Sequence, residues 1–373
     1  MLRNLGKVRS FLFSILCMLA LGAGFASCSD DDDEKGPDDT GSQLTLPQSR
    51  MFILNEGGYG SNNAGIAFYA PNGDADFIND IFFLQNAAQL GETGQDMIEY
   101  EDQIFVSVYG SNYLVKLNAA GVEQGRVSFV NDPDLAGRIR YMDAEDGYIY
   151  ASFWGGAVAK INASTMALEA KLTGLGDNME GIAACEGKLY VANSCTADYT
   201  TYHNDVKVID LNTFTVAETL TVGVNPNAIL EEDDKIFLIS WGNYGDAGYS
   251  LQMIDPANNN KVTELGVASR MCAANDMLYL VYSDYAGAVL NTFFTYDIKT
   301  GQLNNTSFLK NIPEALKNAT IYMLEVNENN GDIYIGTTDY KTTGTIYRFK
   351  KDGTLVEEFS AGGINPSSAV FFN

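Results

Sequence analysis

Between residues 181 and 222 the chain reads GIAACEGKLYVANSCTADYTTYHNDVKVIDLNTFTVAETLTV, four short apolar segments at 181–185, 188–193, 206–211 and 215–222 with turn residues between them. Apolar and polar positions alternate, and no helical period runs through them, so the stretch predicts a four-stranded antiparallel sheet. One such sheet cannot bury both of its faces and must pack against copies of itself. The copies are visible. The second-strand pattern recurs in MFILNEGG, QIFVSVYG, YIYASFWG, KLYVANSC, KIFLISWG, MLYLVYSD and DIYIGTTD, with Phe52, Ile104, Ile149, Leu189, Ile236, Leu278 and Ile333 at the equivalent place. The steps between them are 52, 45, 40, 47, 42 and 55 residues, the repeat length of β-propeller blades. The expected fold is all-β, a seven-bladed β-propeller. Its first copy opens on a second strand near Met51, whereas NPSSAVFFN from Asn365 matches a first strand (NPNAILEED from Asn225). The C-terminal strand is therefore expected to complete the first blade, closing the ring and leaving no free edge. Residues 312–319 read as a short helix, and residues 85–95 and 132–137 as long entries between blades.

The alternation also assigns the loops to faces. Turns between strands one and two, and three and four, are tight and bland (EDG, CEG, EDD, AND, NAAG, NAST, KKDG) and serve chain reversal. Loops between strands two and three differ in every blade: EGGYGSNN, YGSNY, FWGGA, SCTADYTTYHND, SWGNYGDAG, SDYAGAVLN and TDYKTTG. They carry Tyr59, Tyr109, Tyr113, Trp154, Tyr199, Tyr202, Trp241, Tyr244, Tyr285 and Tyr340, with Asn112 and Asn243 among the amides beside them. Aromatic rings with a polar edge, set among glycines on one side of a rigid ring, are the composition of a binding face. Aromatics folded back on their own blade are the alternative for any single residue. Entries into the blades add Gln95, Asp96, Arg138, Arg140, Asn178, Glu180, Asn225, Asn227, Arg270 and Asn365 near the axis. Arg140 and Arg270 are candidate ligand contacts, each also expected to pair with a carboxylate.

Charge changes the list of partners. With 23 basic and 48 acidic residues, nucleic acid and anionic membrane surfaces are poor partners for the body, and no nucleic acid is expected. Residues 1–27 combine Arg3, Lys7 and Arg9 with an apolar run and a small-residue end before Cys28, the pattern of a secretory signal. A cysteine in that place resembles a bacterial lipoprotein signal, which makes Cys28 the lipidated residue. Residues 28–48, rich in aspartate, read as an acidic tether, and residues 49–373 as the propeller. An acidic run after the lipid cysteine resembles the surface-export signal of Bacteroidetes lipoproteins, implying an outer-membrane, surface-exposed protein. Cys185, Cys195 and Cys272 read as small core residues. The turn at residues 186–187 sets Cys185 and Cys195 far apart on their ladder, which disfavours a disulfide.

Catalytic chemistry finds little footing. His203 is the single histidine, so a multi-histidine metal site is excluded, and a Ser-His-Asp triad would have to use a residue in a polar loop. No phosphate-binding glycine loop is present, no resident cofactor or metal is expected, and the EF-hand spacing is absent. Carboxylates are plentiful, but none stand out as a pair.

The repeats, above all KLYVAN, VKVIDLNT and TLTVGVNPNAI, resemble the YncE-like propellers often called surface layer proteins, over residues 50–373. With the opening MFILNEGGYGSNNAGIAFYAPNG, the cysteine and the acidic run, the chain is similar to propeller lipoproteins of gut Bacteroidetes, and among them to the BtuG type. That resemblance implies capture of cobalamin or another corrinoid and its delivery to a TonB-dependent transporter. A glycan-binding accessory of polysaccharide uptake, a protein-interaction scaffold and a hydrolase or lyase remain the alternatives.

Overall fold

A computed structural model of the chain describes residues 36–373 except 285, 286 and 288. The signal sequence, Cys28 and Tyr285 lie outside the described residues. Seven antiparallel sheets form the propeller, six of four strands and one of three. Blade 1 holds Arg50–Asn55 and Gly65–Tyr69, with Pro366–Phe372 as its innermost strand. Met51 pairs with Phe371 and Ile53 with Ala369, so the last strand closes the ring as the repeats imply. Blades 2 to 7 open on the innermost strands Gly94–Tyr100, Ile139–Glu145, Met179–Cys185, Pro226–Glu232, Arg270–Ala274 and Thr320–Val326. Sequence and structure agree closely in blade 4, whose further strands are Lys188–Cys195, Tyr202–Asp210 and Thr215–Thr221.

All seven pattern residues, Phe52, Ile104, Ile149, Leu189, Ile236, Leu278 and Ile333, are fully buried. Each sits in its blade's second strand, between neighbouring sheets. The strand one–two reversals at Glu101-Asp102, Asp146-Gly147, Glu186-Gly187, Asp233-Asp234 and Asn275-Asp276 put two consecutive residues at positive φ. Such two-residue turns follow the twist of the strands they join. Cys185, Cys195 and Cys272 are buried free thiols, and burial pushes the Cys185 thiol up to about 12.

Two segments depart from the sequence reading. The entry expected at 85–95 begins in a helix, residues 81–86, IFFLQN. Asp80 caps it by accepting from the Phe83 N–H, and Ile81 and Phe82 pack into blade 1. There, with an isolated bridge between Phe68 and Ile78, the helix fills the place of a fourth strand. The expected helix near 312–319 is Glu314–Asn318. The acidic tether is also shorter than expected. Asp39 pairs with the buried Arg50, whose guanidinium also donates to the Ala119 carbonyl. Thr40 accepts through its carbonyl from Asn118, and Leu44 and Leu46 pack on the apolar core between blades 1 and 2. These bonds lay residues 39–46 along the turn face of blades 1 and 2.

A second device holds the seam between blades 7 and 1. Arg348 donates to the Asp332 carboxylate at 2.7 and 2.9 Å, to the Tyr69 hydroxyl at 2.8 Å and to the Pro71 carbonyl at 2.7 Å. Arg348 and Asp332 are almost wholly buried, and the more exposed Glu357 and Lys350 reach them at 3.2 and 3.1 Å as outer partners. Asp332→Ala is expected to cost about 3 kcal/mol, since it leaves the buried guanidinium only the outer Glu357 carboxylate. Denaturant unfolding measures this, and a loss under about 1 kcal/mol would show that the seam does not need the pair.

Candidate ligand-binding site at the channel mouth

A channel of about 1140 Å³ runs along the axis from the loop face to the turn face. Its mouth on the loop face owes its lining to a repeated irregularity. In blades 2, 3, 4, 5 and 7 the innermost strand slips register near this face, at Gly94/Asp96, Ile139/Met142, Met179/Ile182, Pro226/Ala228 and Ile321/Met323. A bulge re-aims the extra side chain, and here the extra residues include Gln95, Arg140, Tyr141, Asn227 and Tyr322, which line the channel. Arg270 begins the one innermost strand of blades 2 to 7 that pairs without a slip. Arg140 and Arg270 are the only basic residues in the lining among the described residues.

Arg140 is held on every side. It donates to Glu180 at 2.9 Å through Nε and lies 2.8 Å from the same carboxylate through Nη2, and it also donates to Gln95. The rings of Trp154, Tyr109 and Tyr141 lie 4.6, 5.3 and 5.3 Å from the guanidinium. The Trp154 indole N–H donates to the other Glu180 oxygen at 2.8 Å, and the Ser107 and Ser152 hydroxyls donate to the Arg140 and Glu180 carbonyls at 2.6 Å. Burial works against the Arg140 charge, but Glu180 and Tyr141 outweigh it and raise the guanidinium further. Burial pushes the Tyr141 phenol up to about 12 despite Arg140.

Across the mouth, Glu56 accepts from the Tyr322 hydroxyl at 2.7 Å. Burial raises the Glu56 carboxyl above the ordinary glutamate range, against the opposing pull of Tyr322, Arg140 and Arg270. Burial also lifts the Tyr322 phenol, with the Glu56 charge adding to it.

The structure sorts the sequence-derived residues. Tyr59, Tyr109, Trp154, Trp241, Tyr340, Arg140 and Arg270 line the channel, as does Tyr199. Tyr109, Trp154 and Tyr199 meet edge to face, at 79° and 71° between successive rings, and Tyr340 meets Tyr322 at 88°. Tyr202 and Tyr244 pair with each other outside the lining. Asn243 accepts from the Gly245 and Ala247 N–H groups and so shapes its own loop. Asn112 and Tyr113 point inward. Asn112 bonds the Leu135 carbonyl and the Ile139 N–H, while Tyr113 donates to the Leu90 carbonyl under the Arg126 guanidinium. Arg140 has the expected carboxylate. Among the described residues no carboxylate oxygen lies within 4.0 Å of Arg270. Glu56, Tyr141 and Tyr322 were not foreseen; their only sequence signal is a polar or aromatic residue beside the start or end of an alternating segment. No group of three or more His, Cys, Asp or Glu side chains is placed to hold a metal ion among the described residues.

A family model described as a domain of unknown function, DUF5074, matches residues 49–371. The chain belongs to that family. The DUF5074 chain is similar in fold to a quinonprotein alcohol dehydrogenase-like protein from Bacteroides thetaiotaomicron, with a TM-score of 0.62 at 15% identity over 86% of this chain and 78% of that one. A hypothetical selenium-binding protein from Sulfolobus tokodaii has a TM-score of 0.57 at 12% identity, over 90% and 96% of the two chains. Apo AztD from Citrobacter koseri has a TM-score of 0.54 at 12% identity, over 87% and 98%. No curated protein matches the sequence. At these identities the likeness is one of propeller fold.

Glu56 supplies a test of the mouth's electrostatics. A carboxyl raised by folding holds its proton more tightly folded than unfolded, so stability is full below the ordinary glutamate range and falls as pH climbs to the raised value. Glu56→Gln keeps an acceptor for Tyr322 and removes this titration. The variant's melting temperature relative to the parent should climb as pH rises above the ordinary glutamate range. A difference that stays flat or falls over that range would remove Glu56 as a strained carboxyl.

Proposed function

We propose that this chain is a non-catalytic capture protein of the cell surface, anchored through Cys28, that takes a flat organic ligand at the channel mouth. The ligand class read from the sequence resemblance is cobalamin or another corrinoid, passed on to a TonB-dependent transporter. One observation carries the reading: the rim gathers Tyr109, Trp154, Tyr199, Tyr340 and Trp241 around two arginines over an open channel, and both tryptophans of the chain are in it. Broad apolar area with a few fixed polar groups is how proteins hold a large, amide-fringed molecule.

Two further features support it. Gly36 and Pro37 lie with Glu99, Asp102 and Glu328 at the far end of the channel, so an anchor at Cys28 would leave the aromatic mouth free to face away from the membrane. Both oxygens of the Glu180 carboxylate are engaged by Arg140 and Trp154, and one of Glu56 by Tyr322, which suits holding a ligand better than paired-carboxylate hydrolysis. The steep angles between neighbouring rings also differ from the coplanar row that stacks sugar faces.

Calorimetric titration of residues 36–373 with cyanocobalamin tests the proposal. Saturable binding near one per chain is expected. Tyr109→Ala and Trp154→Ala should each weaken it by about 1–3 kcal/mol, while Tyr244→Ala, outside the lining, should leave it unchanged. Absence of heat and of thermal stabilisation would remove corrinoids and leave oligosaccharides as the next ligands to titrate.

A further inference from the structure

The two arginines of the mouth are framed alike and used differently. Arg140 stands among three rings with its nitrogens committed to Glu180 and Gln95. Arg270 lies 5.4 Å from the Tyr322 ring and 6.0 Å from the Trp241 ring. Its Nε donates to the Ile321 carbonyl at 3.2 Å, which fixes the plane of the head group. Its two terminal nitrogens have no protein acceptor among the described residues, and the side chain lines the open channel. An arginine fork matches the paired oxygens of a carboxylate or phosphate. Flanking rings strip part of its water and strengthen the contact, and a head group already oriented loses little entropy on binding.

We propose that Arg270, flanked by Trp241 and Tyr322, is the subsite for an anionic oxygen group, carboxylate or phosphate, on the molecule that the mouth captures. The assignment rests on the capture reading for its ligand but not on the ligand being a corrinoid. Arg140 serves instead as a fixed cationic platform for the aromatic rim.

Trp154→Phe leaves Trp241, beside Arg270, as the single tryptophan. Its fluorescence is titrated with inorganic phosphate and, separately, with benzoate at low ionic strength. A saturable change with either anion is expected, and the one that gives it names the group. Adding Arg270→Gln should weaken that response at least about tenfold, and Arg270→Lys, which keeps the charge without the fork, should restore only part of it. Arg138→Gln removes the same charge from the exposed rim outside the channel lining and should leave the response unchanged. Melting curves confirm that each variant is folded. No saturable response to either anion overturns the subsite, and so does an equal loss in Arg138→Gln, which would mean that the charge of the face alone is being read. Cyanocobalamin binding indifferent to Arg270→Gln overturns the subsite and leaves capture standing. Anion binding without cyanocobalamin binding overturns the corrinoid alone.

Discussion

The pairing of the last strand with the first one is the constraint on which both the ring and its mouth rest. Without Pro366–Phe372, blade 1 would show the channel an open strand edge, the state a closed propeller exists to avoid. The same segment reaches the site. The Glu56 N–H donates to the Asn365 carbonyl at 3.0 Å and the Gly57 N–H to the Ile364 carbonyl at 3.1 Å. Asn365 in turn donates to the Gly57 carbonyl and accepts from Thr338 of blade 7. Closure therefore sets the backbone of Glu56, and Glu56 receives Tyr322. Arg348 repeats the logic nearer the turn face, joining Asp332 of blade 7 to Tyr69 and Pro71 of blade 1. The seam is bridged by backbone pairing, by a buried charge network and by the polar contacts of the mouth.

Within that frame the bulges do the positioning. A regular strand sends alternate side chains toward its neighbours above and below in the ring, and only its narrow inner edge faces the axis. A register slip adds one residue and turns a side chain toward the axis without disturbing the packed faces beyond it. The Ser107 and Ser152 hydroxyls hold two of these distorted segments by their carbonyls from the preceding blade. Arg270, at the start of an unslipped strand, has only the Ile321 carbonyl as anchor. The difference in commitment between the two arginines has its origin in this difference of backbone.

Seven buried residues at near-equal spacing made the architecture legible, because a blade's second strand must be apolar wherever it lies between two sheets. The site was legible only as a region. Tyr109 and Tyr113 sit four residues apart in the same loop, with the same composition around them, yet Tyr109 lines the channel and Tyr113 is clamped between the Leu90 carbonyl and Arg126. Long-range partners decide which way each ring turns, and single-chain patterning holds no record of them. The helix at residues 81–86 left no clear signal for a related reason. Ile-Phe-Phe-Leu suits a strand by propensity, and the Asp80 cap together with the vacancy left by a three-stranded blade tips it into a helix. Asp39 reads as solvated because it closes an evidently acidic run, whereas the buried Arg50 that receives it leaves no such signal.

The distribution of charge gives the channel a direction. Its far end is lined by Glu99, Asp102, Asp143, Glu231, Glu325 and Glu328, and the Glu99 carboxyl is raised by burial, with Asp102 and Glu328 adding repulsion. The loop-face end holds the two arginines. The arginines share the mouth with Glu56 and Glu180, whereas the far end has carboxylates and no basic residue in its lining among the described residues, so the charge along this axis opposes passage of an anionic group onward to the turn face. A molecule bound there is held at the rim, on the side opposite the docked N-terminal segment. The charge along the axis thus favours the rim over the interior of the ring as the place where an anionic group would rest.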